Sequence, residues 1–66
     1  MRKTLRDFLE VTEFMIEVNV YDEYGEPLYH GNMESSLFED ERYATLLDRN
    51  VVDFLIYHDR LSLWVE

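Results

Sequence analysis

The residues of this chain best suited to metal binding or proton transfer are His30 and His58. Asp59 follows the second of them, and carboxylates are plentiful. Neither histidine sits in an HExxH motif or a comparable ligand spacing. A strand side chain and a turn residue account for them more simply than a cation site does. Asp22-Glu23-Tyr24-Gly25-Glu26 has the acidity of a calcium loop, but lacks the alternating Asp/Asn ligands and the distal Glu of one. It reads as a hairpin turn. Ser35, Ser36 and Ser62 lack the flanking glycine elbow of a nucleophilic serine, and cysteine is absent, which excludes thiolate nucleophiles and thiolate zinc sites. Paired carboxylates need a pocket to do acid–base work. A chain of 66 residues seldom encloses a ligand cavity of roughly a few hundred Å³. The expectation is therefore a protein that is not an enzyme and holds no cofactor or metal.

Charge is more informative. The formal net charge is −9, from 15 acids against 6 bases. Arg2, Lys3 and Arg6 open the chain, and eleven acids then run from Asp7 to Glu41 without a Lys or Arg among them. Nucleic-acid affinity rests on neutralising phosphates with Lys and Arg, so direct nucleic-acid binding is not expected. A basic protein partner would be attracted and steered by the same field. Acidity that serves solubility alone is the plainer alternative. The hydrophobic fraction, 47%, is too high for an acidic disordered tail. No apolar run follows the basic start, so no signal peptide is read. No stretch approaches the ~18 apolar residues of a membrane span. A cytoplasmic protein with no membrane partner is expected.

The elements that must carry these residues form one domain, 1–66. Thr4 with Asp7 three residues on resembles a capping box, and Leu5, Phe8 and Leu9 make one stripe of a short helix from Leu5 to Val11. Glu13 to Tyr21 alternates as a strand, with Phe14, Ile16, Val18 and Val20 inward and Met15 outward. A three-residue loop with Gly25 at positive φ then leads into a strand from Leu28 to Asn32. That register places Leu28 and His30 on the core face, whereas one more residue would send Tyr29 inward. Ser36 with Glu39 offers a second capping signal. A helix follows from Leu37 to Leu47, or two short turns broken near Asp40, with Asn50 as a stop. The chain ends in a hairpin from Val51 to Glu66, turning at His58-Asp59 or Asp59-Arg60.

The fold class expected is α+β, in the order helix, strand, strand, helix, strand, strand. A mainly antiparallel four-stranded sheet would carry its helices on one face. Its buried face would hold Ile16, Val18, Val20, Phe54, Ile56, Leu61, Leu63 and Val65, with Leu5, Phe8, Leu9, Phe38, Ala44 and Leu47 packed from the helices. On that assignment Phe54→Ala or Ile56→Ala costs about 2–5 kcal/mol. Leu55, Tyr57 and Trp64 then point away from the core, with Leu55 across from Trp64 if the turn is Asp59-Arg60. Exposed apolar area of this kind marks interfaces, and Trp and Tyr are frequent binding anchors.

Thr4-Leu5-Arg6-Asp7-Phe8-Leu9, the Tyr21-Asp22-Glu23-Tyr24-Gly25-Glu26 turn and Leu46-Leu47-Asp48-Arg49-Asn50-Val51 occur in an order that resembles small acidic proteins of Gram-positive bacteria and their phages and mobile elements. The resemblance spans most of the chain and brings no activity or catalytic residue. It implies a bacterial or phage setting, in which small acidic proteins block nucleic-acid-binding enzymes as anti-CRISPR and DNA-mimic proteins do.

Two binding readings follow. In the first, Glu17, Asp22, Glu23, Glu26, Glu34, Glu39, Asp40 and Glu41 engage a basic protein partner. Carboxylates two apart on a strand lie about 6.6 Å apart, loosely comparable to phosphates, so occupying a basic nucleic-acid-binding surface is one form of it. In the second, the chain is a small structural or accessory protein that homodimerises through Leu55, Tyr57 and Trp64.

Overall fold

The structure is a computed structural model that describes residues 3–12 and 16–66. Arg2, the strand start expected at Glu13, Phe14 and Met15, and the capping side chain expected of Ser36 lie outside the described residues.

Helix α1 spans Leu5–Glu10. Its capping box forms as the residue types demand. The Thr4 hydroxyl accepts from the Asp7 N–H at 3.3 Å, and Asp7 accepts from the Thr4 N–H at 3.2 Å. Two of the orphan donors of a helix start are thereby satisfied. Leu5 and Leu9 are buried, and Phe8 is packed against them from the margin of the core.

Strands β1 (Glu17–Tyr21) and β2 (Pro27–Asn32) form an antiparallel hairpin. Asp22 organises its loop. Its N–H donates to the Glu26 carbonyl, its carbonyl accepts from Gly25, and its carboxylate accepts from the Tyr24 and Glu26 N–H groups. Gly25 sits at φ +85°, a conformation in which glycine carries no steric penalty. The loop is thus the three-residue one expected, and the register is the alternative that sends Tyr29 inward, reached by a bulge and not by a longer loop. Tyr21 pairs with Pro27, and an irregularity between Val20 and Tyr21 then shifts the pairing so that Val20 faces Tyr29 and Val18 faces Gly31. Leu28 is left unpaired, beside a proline that has no N–H to give the ladder. Tyr29 turns toward the core, and His30 lies opposite Asn19 on the other face.

Beyond β2 the chain makes two 3₁₀ turns, Ser35–Phe38 and Glu41–Tyr43, and one turn of helix α2, Ala44–Leu47. The break falls at Asp40, which is extended (φ −82°, ψ 114°) and caps the Arg42 N–H. A carboxylate competing for backbone donors inside the Glu39-Asp40-Glu41 run favours a cap over a continued helix. Met33, Leu37 and Leu47 are buried. Ala44, expected in the core, is exposed. Met33 was not foreseen there; its N–H donates to Ile16 at 2.8 Å and prolongs the first hairpin.

Strands β3 (Val51–Tyr57) and β4 (Arg60–Val65) complete a sheet of order β2-β1-β4-β3. The expectation of a mainly antiparallel sheet needs correction. The sheet is mixed, because β4 lies between β1 and its own hairpin partner β3 and runs parallel to β1, with Val18 against Leu61 and Val20 against Leu63. Leu61, Leu63 and Val65 are buried together with Val18 and Val20. Phe54 and Ile56 are not core residues. They are 50% and 63% exposed, respectively. Strand β3 is the sheet edge, and six-residue α1 is only about 9 Å long, so it covers β3 with one ring. Phe8 meets Phe54 at 5.2 Å between centroids.

Candidate protein-binding surfaces

The open edge of β3 is set by three local choices. The hairpin turns at His58-Asp59, which pairs Tyr57 with Arg60, Leu55 with Ser62 and Asp53 with Trp64. His58 takes φ +54°, the sign that the first central position of a two-residue hairpin requires. Glu17 N–H donates to the Asp59 carbonyl at 3.0 Å. Odd-numbered backbone groups of β4 therefore face β1 and even-numbered ones face β3. It follows that Leu55 and Tyr57 direct their backbone groups into the sheet, while Phe54 and Ile56 direct theirs outward. The Phe54 N–H is taken by the Asp53 carboxylate at 2.8 Å. At the start of the strand the edge is covered, since Leu5 N–H reaches Arg49 O and Val51 N–H reaches Lys3 O. Beyond that point the side chains of Val52, Phe54, Leu55, Ile56 and Tyr57 are all half exposed or more. Beneath the edge lies an apolar groove of about 320 Å³, lined by Phe8, Val11, Thr12, Ile16, Phe54, Ile56 and Leu61.

On the helix-free face, Leu55 and Tyr57 are 57% and 65% exposed. Trp64 is half-buried and stacks on Tyr21, with centroids 5.5 Å apart and planes 26° apart. With the turn at His58-Asp59, Leu55 lies across from Ser62, and Trp64 lies across from Asp53. The middle of this face is polar. Arg60 pairs with Glu17 at 3.2 Å, Asn19 donates to Glu17, and His30 bonds the Asn19 side chain.

The eight carboxylates of the acidic reading are spread over three places. Glu17 lies in the sheet network just described. Asp22, Glu23 and Glu26 stand on the β1–β2 loop, where the Asp22 carboxylate is occupied by backbone donors. Glu34, Glu39, Asp40 and Glu41 lie on the segment of 3₁₀ turns. Glu34 and Asp40 meet in one recess of about 180 Å³ with Arg42, Tyr29 and Tyr43. There Arg42 grips Asp40 through Nη2 at 2.7 Å and Nε at 3.1 Å. Hydrogen bonds from the Arg42 side chain and backbone hold the Asp40 carboxyl below its ordinary value, and the same pairing raises the Arg42 guanidinium. Tyr29 is pushed up by burial first, then by Tyr43 and Glu34; its ring also meets Tyr43 edge-on at 5.1 Å.

His30 on β2 and His58 at the β3–β4 turn are not brought together. Among the described residues no three His, Asp or Glu side chains converge as a metal site would need. Ser62 is half-buried in β4 opposite Leu55. Among the described residues, no helix is long and apolar enough to cross a membrane. The exposure of Val52, Phe54 and Ile56 escaped sequence reasoning. The nearly unbroken apolar run Val51-Val52-Asp53-Phe54-Leu55-Ile56-Tyr57 pointed the other way, since such a run suits a strand flanked on both sides.

The fold and these surfaces define a small α+β protein with a four-stranded mixed sheet. No family model matches the chain, and no match was found among curated proteins or solved structures.

Proposed function

We propose that the chain is a non-enzymatic, acidic protein-binding module whose partner presents a basic surface. One observation carries this reading. Three arginines are committed within the molecule, Arg6 to Asp48, Arg42 to Asp40 and Arg60 to Glu17, while Glu23, Glu26, Glu39 and Glu41 stand exposed on two loops. The excess of negative charge is therefore displayed on flexible side chains at the surface. Such a field accelerates encounter with a basic partner and weakens with salt. A nucleic-acid-binding enzyme of a bacterial or phage setting is the partner class this reading favours, with the module occupying the groove that DNA would fill in the cytoplasm.

The test is competition. A nucleic-acid-binding protein captured on the immobilised chain should be released by duplex DNA and by salt. Its association rate should fall when Glu23, Glu26, Glu39 and Glu41 are changed together to Gln. A captured partner indifferent to both salt and DNA removes the proposal.

A second reading is self-association of a small structural protein, favoured by the exposure of Leu55 and Tyr57. Trp64 would join them in the face-to-face form of that reading. Sedimentation as a monomer at high concentration removes it.

A further inference from the structure

We infer that the docking element for a second copy of this chain is the free edge of β3, paired antiparallel with its own symmetry mate. The inference rests on the self-association reading and changes its surface, from the aromatic face to the strand edge.

Four observations converge. First, β3 is apolar on both of its faces, since Phe54 and Ile56 on one and Leu55 and Tyr57 on the other are all at least half exposed. Strands that read this way are normally interior to a sheet, yet topology places this one outermost. Second, outward backbone groups remain at Ile56, and the Phe54 N–H, held at its own strand by the Asp53 carboxylate, would exchange that bond for the Ile56 carbonyl of the second copy. An edge of this length with apolar side chains is a template for another strand. Natural sheets usually blunt such an edge with lysine, proline or a bulge, and between Asp53 and Tyr57 there is neither lysine nor proline. The irregularity near the strand start lies between Val51 and Asp53, outside the stretch concerned.

Third, the strand is self-complementary. A two-fold axis at Leu55 sets Phe54 of one copy against Ile56 of the other, and Leu55 against Leu55. Phe54 and Ile56 from both copies would then close the groove that Phe8, Ile16 and Leu61 leave open. The result is a continuous eight-stranded sheet, four strands from each copy. Fourth, charge permits this approach. Two copies of net charge −9 repel, but β3 carries a single acid, Asp53, so little of that charge is brought together at the edge. In the register above, Asp53 faces Tyr57 of the second copy instead of the other Asp53, so the two carboxylates do not meet directly. A small domain without disulfides commonly gains its missing stability from such an assembly.

The experiment is sedimentation equilibrium of the full chain from micromolar to millimolar concentration, at low and high salt, with amide exchange read at Ile56. The expected result is a reversible doubling of mass that strengthens with salt, as repulsion between the copies is screened. The Ile56 amide should be slowed in the dimer relative to dilute protein. Ile56→Lys should lose the dimer at every concentration while keeping its circular dichroism spectrum, because a side chain this exposed tolerates the change. A chain that stays monomeric overturns both this inference and the self-association reading. A dimer in which the Ile56 amide exchanges as fast as in the monomer, or one that dissociates with Trp64→Ala but persists with Ile56→Lys, overturns the edge alone. That outcome would return the interface to the aromatic face. The amide measurement is made on the wild-type chain, so it decides the question even if the variants fold poorly.

Discussion

At the level of single residues, apolar side chains of one hairpin differ sharply in what they support. Leu63 is fully buried between β1 and β3, whereas Ile56, near the hairpin tip of β3, is 63% exposed. Leu63→Ala should therefore cost about 2–5 kcal/mol through lost burial and a residual cavity. Ile56→Ala in the monomer should cost under about 1 kcal/mol, since most of its area already lies in water. Urea denaturation of dilute protein measures both, and comparable losses would contradict the edge position of β3. Asp40 gives a prediction of a different kind. Its carboxyl is held below the ordinary value by Arg42. A depressed folded-state pKa contributes stability above the unfolded value, and that stability disappears as pH falls through the folded one. Both groups are well solvated, so the effect is small. The difference in urea midpoint between wild type and Asp40→Asn should be present at neutral pH and vanish in acid below the ordinary carboxylate range. A difference that persisted in strong acid would mean that Asp40 acts through something other than its charge, since asparagine keeps the cap.

At the level of elements, short pieces of structure depend on their ends. A helix of six residues is too short to persist alone, so α1 relies on its capping box and on Leu5 and Leu9. Thr4→Ala should cost about 1 kcal/mol, measurable as a lowered Tm with unchanged chemical-shift dispersion. The β1–β2 loop relies on Gly25 at φ +85°. A Cβ added there meets no neighbour within 4 Å, so Gly25→Ala should cost about 1 kcal/mol from backbone conformation alone. A larger loss would show that the loop packs on something. The expected loop formed, whereas sequence left two registers open, because the loop depends on Asp22 and Gly25 alone. The register depends on the unpaired Leu28 one step beyond, where the pull of the core on Tyr29 outweighs an unbroken ladder.

At the level of the whole molecule, two kinds of association respond oppositely to salt. Capture of a basic partner draws on the net charge of −9 and weakens as ions screen it. Pairing of two acidic copies through an apolar strand is opposed by the same charge and gains from screening. A salt series on each process separates them without any variant. The groove beneath β3, with mostly apolar walls, would serve the second process under the proposed pairing. The acidic loops belong to the first. The acidic loops would stay accessible in a dimer joined at β3, which would present two copies of them.

Much of the candidate surface was legible from local pattern. Leu61, Leu63 and Val65 alternate with Ser62, Trp64 and Glu66, and a period of two separates the faces of a strand wherever it lies in a sheet. The capping box, the Asp22–Gly25 loop and the break at Asp40 were equally readable, because each is made by residues a few positions apart. Which face of β3 would be covered was not readable in this way. Phe54 and Ile56 share the face of Leu61 and Leu63, yet they are exposed because β4 inserts beside β1 and leaves β3 outermost, beyond the reach of a six-residue helix. Burial depends on neighbours far away in the chain, and an alternating pattern records only the direction a side chain points, not whether anything meets it there.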